Sequence, residues 1–283
     1  MAKDTFFRKK ATLNAGGRLI DLSSPKVMGI INLTPDSFYA GSRKQGIEEA
    51  LLQTSKMLDE GAAFLDLGAY SSRPGAEDIS IQEETDRLLP VVEAIKTNFP
   101  EAILSIDTFR SQVAEAAINA GGHIINDISG GQLDADMFST VARLQVPYIL
   151  MHMKGNPQNM QQQAHYEDIF AEVYDYFTDR YHQLKQLGVH DVIIDPGFGF
   201  AKTPEHGYTL MNRLQDFSML QLPILVGISR KSIVYKVTGG KSADALNGTT
   251  ALNTIALTKG ANILRVHDVK EAVEAVKIWE MCE

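Results

Sequence analysis

From residue 27 onward, short apolar runs of β character alternate with longer amphipathic stretches, and every run stops at polar or glycine residues. Eight such runs are present, at residues 27–32, 63–67, 102–106, 123–126, 147–152, 191–195, 223–228 and 262–266. Between them residues 46–60, 81–99, 111–120, 134–144, 166–187, 204–216 and 242–259 read as helices, and 269–279 closes the chain. In the second helix Ile81, Leu88, Leu89, Val92, Ile95 and Phe99 fall near a 3.6-residue repeat, and Pro90 is expected to kink or restart it. Strands this uniformly apolar must be covered on both faces, which is the habit of a parallel sheet flanked by helices. Eight βα units over about 255 residues match the size of a TIM (β/α)8 barrel, with a doubly wound open sheet as the alternative. The first 26 residues differ in character. Residues 5–13 and 18–22 are strand-like and are joined by Asn14-Ala15-Gly16-Gly17, so an N-terminal β-hairpin is expected, closing the barrel end away from the chemistry. One domain spanning residues 1–283 accounts for the chain.

Composition agrees with a packed globular protein: 44% of residues are hydrophobic, 22% are charged, and mean hydropathy is −0.11. The net charge of −8 argues against a bulk electrostatic nucleic-acid binder. The lone Cys282 cannot form an intrachain disulfide. The first residues lack a signal-peptide apolar core, and no run approaches the roughly 18 apolar residues of a membrane span. A cytoplasmic protein without membrane or nucleic-acid partners is expected.

In a barrel of this kind chemistry sits where the strands end. Those ends carry Asn32, Asp66, Asp107, Asn126, His152, Asp195, Ser229 with Lys231, and Arg265 with His267. Any single Asp or Asn there is as readily a helix cap or turn former. Polar residues at all eight ends are harder to explain so. Carboxylates and an amide beside Lys231, Arg265 and His267 suit a ligand with a polar heteroaromatic end and an anionic end. Common motifs fail. Gly197 and Gly199 begin a dinucleotide fingerprint, but Lys202 stands at its third glycine, and Tyr235 stands at the first glycine of a would-be P-loop ending at Ser242. The seven histidines show no zinc-ligand spacing.

Taken together the strand-end segments are specific. They read Asn32-Leu33-Thr34-Pro35-Asp36-Ser37-Phe38, Asp66-Leu67-Gly68-Ala69-Tyr70-Ser71-Ser72-Arg73-Pro74-Gly75, Ser105-Ile106-Asp107-Thr108, Asn126-Asp127-Ile128-Ser129-Gly130-Gly131, Met151-His152-Met153-Lys154-Gly155, Asp195-Pro196-Gly197-Phe198-Gly199-Phe200, Ser229-Arg230-Lys231-Ser232 and Arg265-Val266-His267. In this order they resemble the dihydropteroate synthase family. That resemblance implies a TIM barrel that joins 6-hydroxymethyl-7,8-dihydropterin diphosphate to 4-aminobenzoate, with magnesium as cofactor and a homodimer as the common assembly. It implies a pterin site of Ser72, Asp107, Asn126, Asp195 and Lys231, and a diphosphate site of Asn32, Arg265 and His267, with Asn32 also reaching the metal. It implies a 4-aminobenzoate site of Phe38, Pro74, Phe200 and Ser232, and catalysis by Lys231, Arg265, His267 and Asp107. Many members carry Thr where this chain has Ser72, which is expected to alter loop packing and leaves the response to sulfonamide analogues of 4-aminobenzoate open. A pterin-binding methyltransferase module and a catalytically silent pterin-binding relative are the alternatives. Lys231 within Ser-Arg-Lys-Ser and the first-loop Thr-Pro-Asp-Ser-Phe favour the synthase.

Overall fold

The computed structural model describes residues 12–33, 43–71 and 78–282. After the hairpin β1 (Thr12–Ala15) and β2 (Arg18–Asp21), the chain runs β3 (Lys26–Asn32), α1 (Arg43–Asp59), β4 (Phe64–Gly68), α2 (Ile81–Asn98), β5 (Leu104–Asp107) and α3 (Ser111–Asn119). It continues through β6 (Ile124–Asp127), α4 (Met137–Leu144), β7 (Tyr148–Met151), α5 (Ile169–Gln186), β8 (Val192–Asp195) and α6 (Pro204–Asn212). It ends with β9 (Leu225–Val226), α7 (Ser232–Thr238), α8 (Leu246–Thr258), β10 (Ile263–Val266) and α9 (Val269–Glu280).

Strands β3 to β8 pair in sequence order and in parallel, and β10 lies between β3 and β9. A parallel bridge from Ile194 to Ile224 joins the two ends of this order. An open doubly wound sheet has no such contact, so the barrel is the fold. Along each strand, alternate side chains face the helices or the barrel interior. Leu65 and Leu67 of β4, and Leu104 and Ile106 of β5, belong to the outer core shared with the helices. Phe64 and Ile103 belong instead to an inner layer with Met28, Ile124, Ile149, Ile193, Leu225 and Ile263. Leu13, Ala15 and Leu22 complete that layer, so the hairpin plugs the barrel at the strand starts, as expected. Two residues further along, the inward positions become Asp66, Ser105, Asn126 and Asp195, with Asp107 one step higher on β5. The same alternation therefore builds both an apolar floor and a polar ceiling.

Several boundaries differ from the sequence reading. The hairpin turn is Gly16-Gly17, both with positive φ (61° and 83°), and Asn14 and Ala15 belong to β1. Consecutive positive φ values are the demand of a tight hairpin turn, which glycine meets without a Cβ penalty. Helix α2 passes through Pro90 as one element instead of restarting there. Asp134 does not begin α4; its carboxylate accepts the Ser111 backbone N–H (2.7 Å) at the start of α3. The helix read over residues 242–259 begins at Leu246, as α8, and the short α7 opened by Ser232 precedes it. No helix of the described residues is long and apolar enough to cross a membrane.

Candidate active site

The inward polar residues converge at the C-terminal ends of the strands. Arg265, on β10, lies at the centre. Its Nε donates to Asp66 Oδ2 (2.6 Å) and its Nη2 donates to Asp107 Oδ2 (2.7 Å). The same Asp66 oxygen accepts from Asn126 Nδ2 (3.0 Å), so one buried carboxylate orients both an arginine and an amide. Register explains how Asp107 is accommodated: Gly68 stands opposite it, and a Cβ there would meet Asp107 Oδ2 at 3.4 Å. Burial is the largest influence on Asp107 and pushes its pKa up to about 7, against the opposing pull of Arg265. The two carboxylates in turn hold the Arg265 guanidinium above the ordinary arginine value despite its burial.

Two strands along the barrel from Arg265, Asp195 ends β8, with Oδ1 accepting the Gly197 backbone N–H (2.8 Å). Burial raises its pKa, and the Lys231 charge is the strongest force opposing that rise. Lys231 precedes α7, donates from Nζ to the Phe198 carbonyl (2.8 Å), and lies 4.7 Å from the centre of the Phe200 ring. Burial lowers its pKa to about 8, with Asp195 pulling the other way. At the rim, His267 Nδ1 and Ser229 Oγ are 3.0 Å apart, and the His267 backbone N–H donates to the same hydroxyl (3.2 Å). Burial, and next the Arg265 charge, lower the His267 pKa. Arg230 forks onto Asp268 (2.8 and 2.7 Å), which ties the residue before Lys231 to the residue after His267.

The structure thus brings together Asp107, Asn126, Asp195, Lys231, Arg265 and His267. Asn32, half-buried, ends β3 on the same rim, and Ser232 and Phe200 flank Lys231. Ser72, Phe38 and Pro74 lie outside the described residues. Sequence reading placed Asp66 at a strand end without assigning it work. Its phase with the inward Phe64 was the available signal, because an ionisable residue at an inward position of a buried strand requires a partner. Glu84, fully buried on α2, was also passed over; it accepts from Thr108 Oγ1 (2.6 Å) and Arg110 Nη1 (2.9 Å) just behind the Asp107 strand end. Nothing in a helical Glu at that spacing announces burial.

Chemically the arrangement offers acceptors from Asp107 and Asp195, an amide that both donates and accepts, and cations grouped toward one side. Among the described residues no group of three or more His, Cys, Asp or Glu is placed to hold a metal ion. The Asn32 amide oxygen is a hard donor that a divalent ion could use beside the oxygen atoms of a bound ligand.

Comparison with known proteins agrees with this geometry. A family model described as "Pterin binding enzyme" matches residues 28–267. Dihydropteroate synthase of Escherichia coli (strain K12) is 43% identical over 274 residues, covering 95% of each chain. The crystal structure of Yersinia pestis dihydropteroate synthase with a sulfonamide drug complex superposes with a TM-score of 0.90 at 41% identity, over 96% of this chain and 98% of that one. Xanthomonas albilineans dihydropteroate synthase with 4-aminobenzoic acid gives 0.90 at 36% identity, with the same coverage.

Proposed function

The chain belongs to the dihydropteroate synthase family, and on that premise we propose how its strand-end ring condenses 6-hydroxymethyl-7,8-dihydropterin diphosphate with 4-aminobenzoate to give 7,8-dihydropteroate and diphosphate. The convergence of Asp107, Asn126 and Asp195 below Lys231 and Arg265 carries this reading. A pterin edge alternates ring N–H and amino donors with nitrogen and carbonyl acceptors. Asp107 and Asp195 take the donors, Asn126 serves either kind, and Lys231 donates to the carbonyl and ring nitrogen. A ring lacking those groups leaves buried carboxylates unpaired and is rejected.

Arg265 has two tasks in this scheme. In the free protein its guanidinium is shared between Asp66 and Asp107. When pterin donors occupy Asp107, the Asp66 contact keeps the arginine aimed, and its freed Nη2 edge turns to the diphosphate. His267, neutral before binding, contributes a ring N–H to the same oxygens. Asn32 would hold magnesium together with the diphosphate, since its side chain makes no hydrogen bond to a described residue and its oxygen is a suitable hard donor. A bound magnesium ion supplies added neutralisation of the leaving charge.

The reaction is a largely dissociative displacement. The methylene C–O bond breaks and its electron pair leaves with diphosphate, stabilised by Arg265 and His267. The electron-rich dihydropterin shares the positive charge left on the methylene. The amine of 4-aminobenzoate then donates its lone pair to form the C–N bond and releases a proton to solvent. A neutral arylamine needs placement more than a strong base. Placement comes from Phe200 beside the Lys231 stem and from Ser232 toward the carboxylate, with Phe38 and Pro74 as further lining. No enzyme nucleophile takes part.

The protein as a homodimer is part of this proposal. The proposed pairing face is on α8 and α9, helices that pack together and expose Ile255 and Ile278 (42% and 66%). Sedimentation equilibrium giving the mass of one chain would contradict it. The function itself is tested by supplying purified protein with the pterin diphosphate, magnesium and 4-aminobenzoate. With 4-aminobenzoate present, dihydropteroate and diphosphate are expected in equal amounts; diphosphate release without dihydropteroate formation under those conditions would contradict the scheme.

A further inference from the structure

The loop after β8 has a conformation that its own backbone does not explain. Gly197, Gly199 and Ala201 all have positive φ (69°, 85° and 49°), so every second residue of a five-residue stretch is in the left-handed region. Ala201 pays a steric cost there that glycine avoids. Such a segment persists only when its surroundings over-determine it. They do so through side chains that capture the loop carbonyls one by one. Lys231 Nζ takes the Phe198 carbonyl (2.8 Å), Gln161 Nε2 the Gly199 carbonyl (3.0 Å), Lys202 Nζ the Phe200 carbonyl (2.9 Å) and the Tyr166 hydroxyl the Ala201 carbonyl (3.0 Å).

Lys202 is the anchor of this set. It is buried, at 3% exposure, and no described carboxylate pairs with it directly. Its ammonium is satisfied instead by three fixed acceptors: Phe200 O, His152 O (3.2 Å) and His152 Nδ1 (2.9 Å). Burial lowers the Lys202 pKa to about 7 and drives that of His152 well below the imidazole range, so the His152 ring is neutral and its bare Nδ1 accepts. His152 is itself held at the end of β7, its backbone N–H on Asp195 O (3.0 Å) and its ring edge-on to Tyr176 at 4.8 Å. The backbone passes close by: a Cβ on Gly197 would sit 2.1 Å from His152 O. An ammonium with no carboxylate in direct contact, favoured only by the Asp195 charge further off, is expensive to bury, which points to a role at this position besides stability.

We propose that Lys202, seated on His152, is a positioning residue for the second-substrate slot, fixing the loop that presents Phe200 beside Lys231. The inference rests on the reading of Phe200 as part of the 4-aminobenzoate site. Asp107 and Asn126 come from strands with no bond to this loop, and Asp195 and Lys231 meet only its first residues, at the Gly197 N–H and the Phe198 carbonyl, so loosening the Phe200–Lys202 end should fall mainly on the second substrate.

The test compares Lys202→Met, His152→Phe and Phe200→Ala with the wild-type enzyme, measuring KM for 4-aminobenzoate, the Kd of the pterin diphosphate and the unfolding temperature. Lys202→Met should raise KM for 4-aminobenzoate at least tenfold while the pterin Kd moves less than threefold. His152→Phe keeps a ring and the backbone carbonyl but removes the nitrogen acceptor, and should raise the same KM about threefold; it decides the matter should the methionine variant not fold. In the wild type, the 15N shift of His152 Nδ1 should report an unprotonated, hydrogen-bonded nitrogen, lost in Lys202→Met. Equal losses for both substrates, or an unchanged 4-aminobenzoate KM, overturn the inference. Phe200→Ala separates the two layers: an unchanged KM in that variant means the slot was misplaced, whereas a raised KM there with none in Lys202→Met sinks only the role of Lys202.

Discussion

A carboxylate serves a ligand's N–H donors best while ionised, and Asp107 sits where ionisation is costly. Burial pushes its pKa up to about 7, and the Arg265 fork is what keeps a substantial ionised fraction near neutrality. The sign follows directly: below that pH the carboxylate takes up a proton and loses an acceptor, so pterin binding weakens as acidity rises. The affinity for 6-hydroxymethyl-7,8-dihydropterin, chosen because it has no phosphate to titrate, should fall by up to about tenfold per pH unit below 7. Asp107→Asn should bind weakly with a flatter profile. A wild-type affinity unchanged from pH 8 to 5.5 would mean that Asp107 never gains the proton. Residues of this kind were legible as strand ends. Asp66 was less so, because its importance lies in holding Arg265 and Asn126 at once, a three-way contact among β4, β6 and β10 that a linear reading does not assemble.

At the scale of elements, the hairpin and the barrel floor are linked by a histidine. His123 precedes β6, its Nδ1 accepts the Leu104 backbone N–H (3.1 Å), and its ring lies against the hairpin turn, where a Cβ on Gly16 would approach within 2.7 Å. An acceptor nitrogen must be unprotonated. Burial, then the charges of Lys96 and Arg18, lower its pKa to about 4. Above about pH 6.5 both folded and unfolded chains carry a neutral ring and no linkage arises. Between roughly 6.5 and 4 only the unfolded chain gains the proton, so stability falls as pH falls, by an amount on the order of 3 kcal/mol, and levels off below. Chemical denaturation across that range should show the loss in the wild type and a smaller one in His123→Asn, which keeps an acceptor but cannot titrate. Equal slopes for the two proteins would remove His123 from the account. The strands, helices and hairpin were all readable from apolar periodicity and turn residues. Their ends were less so, since Asp134 caps a different helix from the one it precedes, and Pro90 is accommodated within a continuous α2.

For the whole molecule, eight strand ends meeting at one mouth turn scattered polar residues into a single site, while the other mouth is sealed by Leu13, Ala15 and Leu22. That polarity was legible from the sequence because TIM barrels place chemistry at the C-terminal ends of their strands. The cross-barrel pairings were not, since Asp66 and Arg265 are distant in sequence and only closure of the barrel brings them together. In the proposed function this mouth reads a pterin through fixed acceptors. Titration calorimetry of 6-hydroxymethyl-7,8-dihydropterin diphosphate into the wild type and Asp195→Asn tests it most directly. The substitution is isosteric and keeps an oxygen for the Gly197 N–H, but exchanges a charged acceptor for an amide. A loss of affinity of about thirtyfold or more is predicted, the scale of one charge-assisted hydrogen bond replaced by a mismatched group; an affinity within threefold of wild type would contradict the claim.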